Sequence, residues 1–185
     1  MRPVRRLCIL AACLALCAAG FAAPSASIEK VFVWPVECHV CDPGFQHWVI
    51  YPHGDVTVVY ANGAKAQITH CGTCRAANVS PDHKTVGWLT GDAHVEGEHG
   101  ETILLTTDLA LYRGDSVFRV IHRDAFIHAW RFCSGGRQVA IASGPPRDIR
   151  FYTLYDVASG RLLASQQRWV EGEEITPPWA QGLAE

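Results

Sequence analysis

Residues Asn78–Gly91 read NVSPDHKTVGWLTG, and residues Arg131–Gly144 read RFCSGGRQVAIASG. The two stretches align without a gap. In each, one run ends, a polar turn follows, a basic residue enters an apolar run, and that run stops at Gly. Pro at the second position of a turn presets the backbone, and Ser and Asp hydrogen-bond nearby amides. VGWL and VAIA are short and bounded by breakers, as buried strands are. A second pair lies further along. LALYRGDSVFRV (Leu109–Val120) matches TLYDVASGRLLA (Thr153–Ala164) in having an aromatic, a polar turn with Gly, and an apolar return. YPHGDVTVVY (Tyr51–Tyr60) is a weaker third copy. Self-similarity on this scale predicts repeated β units.

The surrounding sequence agrees. IEKVFVW, HWVIY, DVTVVY, AKAQIT, ETILLT, AWRFC and RLLAS are short, β-branched or aromatic, and bounded by Gly, Pro, Asp or Ser. Asn62-Gly63 between apolar runs predicts a hairpin. Pro and Gly interrupt the chain too often for a long amphipathic helix.

SPDHKTVGWL resembles the Ser-Pro-Asp-Gly-Lys signature that opens blades of TolB-like β-propellers, and LYDVASGRLL resembles the closing hairpin of such blades. The resemblance covers Asn78–Ala164. It departs at His83, where that family has Gly, and at Cys133-Ser134-Gly135-Gly136, where the family pattern calls for Ser-Pro-Asp-Gly. It implies an all-β fold, with antiparallel sheets arranged as about three propeller-like blades in a partial or small propeller. A closed propeller has about 4–8 blades, and open edges are normally covered or paired. The strand near Trp34 and the segment near Trp169 are expected to complete or cover the edge sheets. A homodimer through open sheet edges is the alternative. Blades of this family serve mainly as recognition surfaces, so the resemblance implies a non-catalytic binding or scaffold role, with another envelope protein as partner.

Residues 1–22 read as a signal peptide. Arg2, Arg5 and Arg6 precede an apolar run from Leu7 to Cys17, and small residues including Ala18, Gly20 and Ala22 follow. The expected location is periplasmic or secreted. Membrane association is expected only through lipidation at Cys13 or Cys17. Removing the leader takes three of the 16 basic residues and no acidic one, leaving 13 against 18, a net charge of −5. With no basic run, nucleic acid is excluded as a partner. Residues 23–170 are read as a single β-propeller-like domain. Residues 171–185 are read as an irregular C-terminal tail with Trp179 exposed. The other tryptophans are read mainly as core.

Cys38-His-Val-Cys41 and Cys71-Gly-Thr-Cys74 are the most specific chemical signal. Three readings stay open. Outside the cytoplasm the four sulfurs form disulfides, closing a loop of about 30 residues and contributing about 2–4 kcal/mol. They hold zinc as four thiolates, with His39 and His70 as substitute ligands. Or one pair exchanges disulfides, which needs a Cys at a helix N-terminus that this sequence does not offer. The first reading carries no cofactor. The zinc-binding periplasmic protein and the thiol–disulfide exchange enzyme are the alternatives. Haem attachment is excluded because Asp42 and Arg75, not His, follow the pairs. Cys133 is read as a buried free thiol at a strand end. HVEGEH (His94–His99) is read as a solvated loop rather than a metal site, since Gly97 denies it a helix. Asp82 beside His83 is read as turn chemistry. No nucleophile elbow, phosphate loop or dinucleotide fingerprint is present.

Overall fold

Thirteen β-strands and two short 3-10 turns, with no α-helix, make up the described residues of this computed structural model. Those residues are 26–35, 54–70, 72–91, 93–96, 102–145, 149–169 and 176–183. The strands are β1 (Ile28–Pro35), β2 (Gly54–Tyr60), β3 (Lys65–Gln67), β4 (Arg75–Val79), β5 (Val86–Thr90), β6 (Ala93–Glu96), β7 (Thr102–Leu105), β8 (Asp108–Arg113), β9 (Ser116–His122), β10 (Ile127–Cys133), β11 (Gln138–Ser143), β12 (Ile149–Asp156) and β13 (Leu162–Trp169). All pairs are antiparallel neighbours in the chain except β5 with β8, between which the hairpin β6–β7 is inserted. The sheets run β1-β2-β3, β4-β5-β8-β9 and β10-β11-β12-β13. The fold is therefore all-β, with three propeller-like blades. The aligned repeats coincide with β4–turn–β5 and β10–turn–β11, and with the hairpins β8–β9 and β12–β13.

The blades stack face on face, and the two-residue period of a strand explains how. In the middle blade both faces are apolar. Val86, Trp88, Ala110 and Tyr112 point to the first blade, where they bury Ile28, Val56 and Val58. Their chain neighbours Leu89, Leu109 and Leu111, with Ile121, point to the third and meet Ile127, Trp130, Val139, Ile141 and Tyr155. A one-residue slip in register would exchange these sets. Trp130 fits because Gly87 stands opposite: a methyl there would lie 2.5 Å from Trp130 Cη2. The Trp130 indole N–H donates to the Ala76 carbonyl at 2.9 Å.

The repeated turns lock the blades. In the β4–β5 turn the Ser80 hydroxyl donates to Asp82 (2.5 Å) and accepts the Thr85 amide (2.9 Å), while Asp82 also accepts the Lys84 amide (3.2 Å). Burial raises the Asp82 carboxyl, but the Ser80 and Lys84 donors and the Arg113 and Lys84 charges outweigh it and hold it below its usual value. His83, at the position where the resembled family has Gly, keeps the positive φ (57°) that Gly would adopt easily. Its carbonyl accepts the Ile28 amide and its ring Nδ1 donates to the Ile28 carbonyl, both at 2.8 Å. The departure from Gly thus ties the second blade to the start of the first. The Asn62-Gly63 hairpin forms as expected: Gly63 has φ 81°, and the Asn62 side chain accepts the Ala64 amide at 3.0 Å.

Three expectations are corrected. β1 completes the first sheet as its edge strand, as expected, but its Trp34 is 59% exposed rather than core. Trp169 ends β13, in register with Ile149, so the segment around it completes the last sheet as its edge strand. That sheet's outer face (Ala140, Ala142, Tyr152, Leu154) is covered by Ala180 and Leu183, with Trp179 half-buried beside them. Apolar residues in the tail have a sheet face to bury, so the tail docks. Finally, His94–Glu96 belong to strand β6 instead of a solvated loop, because TILL (Thr102–Leu105) supplies a pairing partner.

Candidate functional site

The three longest connections, 36–53, 68–74 and 91–107, all start and finish at one end of the stack. The other end is closed by the turns 61–64, 80–85, 114–115, 134–137 and 157–161. The open end is marked by the starts of β2, β4, β8, β10 and β12, and contacts between blades confirm that these starts coincide. Gly54 and Cys74 exchange two backbone hydrogen bonds, at 2.9 and 3.0 Å. Arg75 reaches across to the Ile127 carbonyl at 2.9 Å.

Arg75 is the centre of this end and is 5% exposed. Its Nε and Nη2 donate to Thr106 Oγ1 at 3.0 and 2.6 Å, and its guanidinium stacks 4.8 Å over the Phe126 ring. A planar fork with several donors suits this role, since it bridges two blades and a connection at once. Also against Phe126, in edge contact with a ring separation of 4.8 Å, stands His128, whose Nε2 donates to the Gly144 carbonyl at 2.9 Å. Burial, then the Arg150 charge and more weakly the Arg75 charge, push the His128 imidazole below its usual value against the pull of the Gly144 and Pro145 carbonyls. The ring is therefore neutral near pH 7. Arg123 completes the connection between second and third blades, donating to Ser143 Oγ (3.3 Å) and to the Tyr155 hydroxyl (2.8 Å). Beside it His122 Nδ1 donates to Asp108 at 2.7 Å on the exposed surface.

Of the residues singled out in sequence, Cys38, Cys41, Cys71 and His39 lie outside the described residues. Cys74 is fully buried, its thiol 3.5 Å from Thr69 Oγ1. His70 is exposed, its Nδ1 accepting from the Gln67 amide at 3.1 Å. Asp55 organises this corner by accepting the Gly72 amide (3.0 Å), the Thr69 hydroxyl (3.3 Å) and the Gln67 amide (3.1 Å). Cys133 is a free, half-buried thiol at the end of β10, 3.6 Å from the Trp179 carbonyl. Sequence reasoning missed Arg75, Thr106, His128 and Arg150. Arg75 finds its partners 31 and 52 residues away, and no local pattern announces that.

What this end can do chemically is hold connections on a rigid, hydrogen-bonded base in which arginines and carboxylates both take part. Among the described residues, the imidazole–carboxylate pair His122–Asp108 has no hydroxyl or thiol hydrogen-bonded to its ring. No protein-family model and no curated protein matches the chain.

Proposed function

We propose that this chain is an exported, non-catalytic, β-propeller-like binding module of the cell envelope, akin to the TolB-like proteins its repeats resemble, and that it recognises another envelope protein. The observation that carries this reading is the division of the stack: turns at one end, and at the other the strand ends from which the three longest connections leave and to which they return. Recognition residues sit disproportionately on connections displayed by a rigid scaffold. The Arg75, Arg123 and Asp55 hydrogen bonds supply that rigidity. Export is supported by the basic and apolar character of residues 1–22. In this reading the four paired cysteines are staples.

The test combines three measurements on the protein expressed with its leader: cell fractionation, intact mass with and without alkylation, and metal analysis. Export, two disulfides and no bound metal are expected. Retention in the cytoplasm would remove the envelope assignment. One zinc with alkylatable thiols would replace this reading with the zinc protein, and a C-x-x-C that cycles with dithiols would replace it with the exchange enzyme.

A further inference from the structure

Among the described residues the first blade has three strands where the second and third have four, and the fourth position is prepared. Residues 64 and 68 hydrogen-bond to β2 (Tyr60 N–H to Ala64 O, Ile68 N–H to Val56 O), so by alternation Lys65 and Gln67 aim their N–H and C=O groups outward along the free edge of β3. β1 lies against β4, and Tyr60 of β2 and Ala66 of β3 pack in one cluster with Ala110 and Tyr112 of β8, so that free edge lies toward β9. On β9, Val117 and Val120 stand opposite Tyr112 and Ala110, and therefore on the face turned toward the first blade. They are 44% and 54% exposed, whereas Tyr112 and Ala110 are 7% and 4% exposed. The core between the first two blades thus runs out where a fourth strand would continue it.

We infer that the free edge of β3 receives an extended segment of the partner protein as an antiparallel fourth strand, apolar at the positions over Val117 and Val120 and acidic opposite Lys65. The mode is strand addition, in which backbone bonds supply affinity and alternate side chains supply selectivity. Two features fix the occupant. The apolar positions continue the packing that already joins the first two blades. The acidic position follows from charge: exposed Lys30 and Lys65 flank the buried Val59 in one cross-strand row on the face turned away from the second blade. A second copy fits worse, because pairing β3 with β3 would set two Lys65 side chains on one face of adjoining strands. This inference rests on the binding-module reading and names its partner's chemistry.

The test uses the full mature chain, the blocked peptide TVEVEVT as probe and TVKVKVT as control. Binding of the acidic peptide with Kd near 1 mM or tighter is expected, with slowed amide exchange at Lys65 and Gln67. Lys65→Glu, an exposed change, is expected to invert the preference between the peptides by about fivefold. Val120→Asp is expected to abolish binding of both. Binding that ignores the charge at position 65, or no binding of the acidic peptide, overturns the inference. So does a dimer by light scattering with Lys65 protected in the absence of peptide. A photo-crosslinker at Lys65 or Val120, compared with one at Trp34 or Leu162 in intact cells, separates the two readings. Adducts only at Trp34 or Leu162 sink the β3 edge and leave the binding module standing, and adducts nowhere sink both.

Discussion

Gly87→Ala is the sharpest probe of the stacked-blade arrangement. The new methyl would sit 2.5 Å from Trp130 Cη2, 2.9 Å from Cζ3 and 3.0 Å from Leu111 Cδ2. Trp130 cannot swing away, because it is 8% exposed, tethered to the Ala76 carbonyl and packed edge-on against Phe132 at 5.1 Å. Overpacking of this kind costs about 1–3 kcal/mol, while replacing Gly in a strand recovers about 0.5–1 kcal/mol. The net expectation is a loss of about 1–2 kcal/mol, or a urea midpoint lower by about 0.5–1 M. Trp130→Phe removes the two ring atoms in the way. It also gives up the indole hydrogen bond, at a cost of about 1 kcal/mol. In the Trp130→Phe background Gly87→Ala should therefore become neutral or stabilising, and a double-mutant cycle by urea unfolding should show coupling of about 1 kcal/mol or more. Additivity within about 0.5 kcal/mol would refute the claim that Trp130 fills a space that Gly87 leaves open between the second and third blades.

Three further outcomes are expected. His128 is held neutral in the fold and titrates near 6.5 when unfolded, so the unfolded chain binds more protons just below that pH. Stability should fall as pH drops below about 6.5, and His128→Gln, which keeps a donor for the Gly144 carbonyl, should flatten that slope in urea melts. Asp82 has the opposite charge with the same sign of dependence. Its lowered carboxyl contributes stability above about pH 4 that is lost as pH falls through the folded value, and Asp82→Asn should remove that acid limb without altering the melt at pH 7 by more than about 1 kcal/mol. Leu183, 2% exposed over the third blade, should cost about 2 kcal/mol as Ala. Removing residues 176–185 should uncover the face of Ala140, Ala142, Tyr152 and Leu154 and raise binding of a hydrophobic dye, whereas an unchanged signal would show that the tail does not cover this face.

Much of the architecture is legible in the sequence. The paired SPDHKTVGWL and SGGRQVAIA stretches marked β4–β5 and β10–β11, and Asn62-Gly63 marked a hairpin, because turn chemistry is local. Period-two patterning made the strands legible for the same reason. The candidate site was much less so. The cysteine pairs are conspicuous, but Arg75, His128 and Thr106 gain their roles only from partners many residues distant. Trp34 and Trp179 exchanged expected environments, since neither residue type nor neighbours reveal which sheet face lacks a cover.

By itself the sequence determined that this chain is β-rich, repeated and turn-punctuated, since backbone preference and side-chain alternation act over only a few residues. Tertiary structure alone decided that the middle blade buries both faces, that the tail covers the third blade, and that the described strands of the first blade number three, leaving Val117 and Val120 exposed. Each of these depends on which faces come together, and apolar burial has no direction until the sheets are stacked.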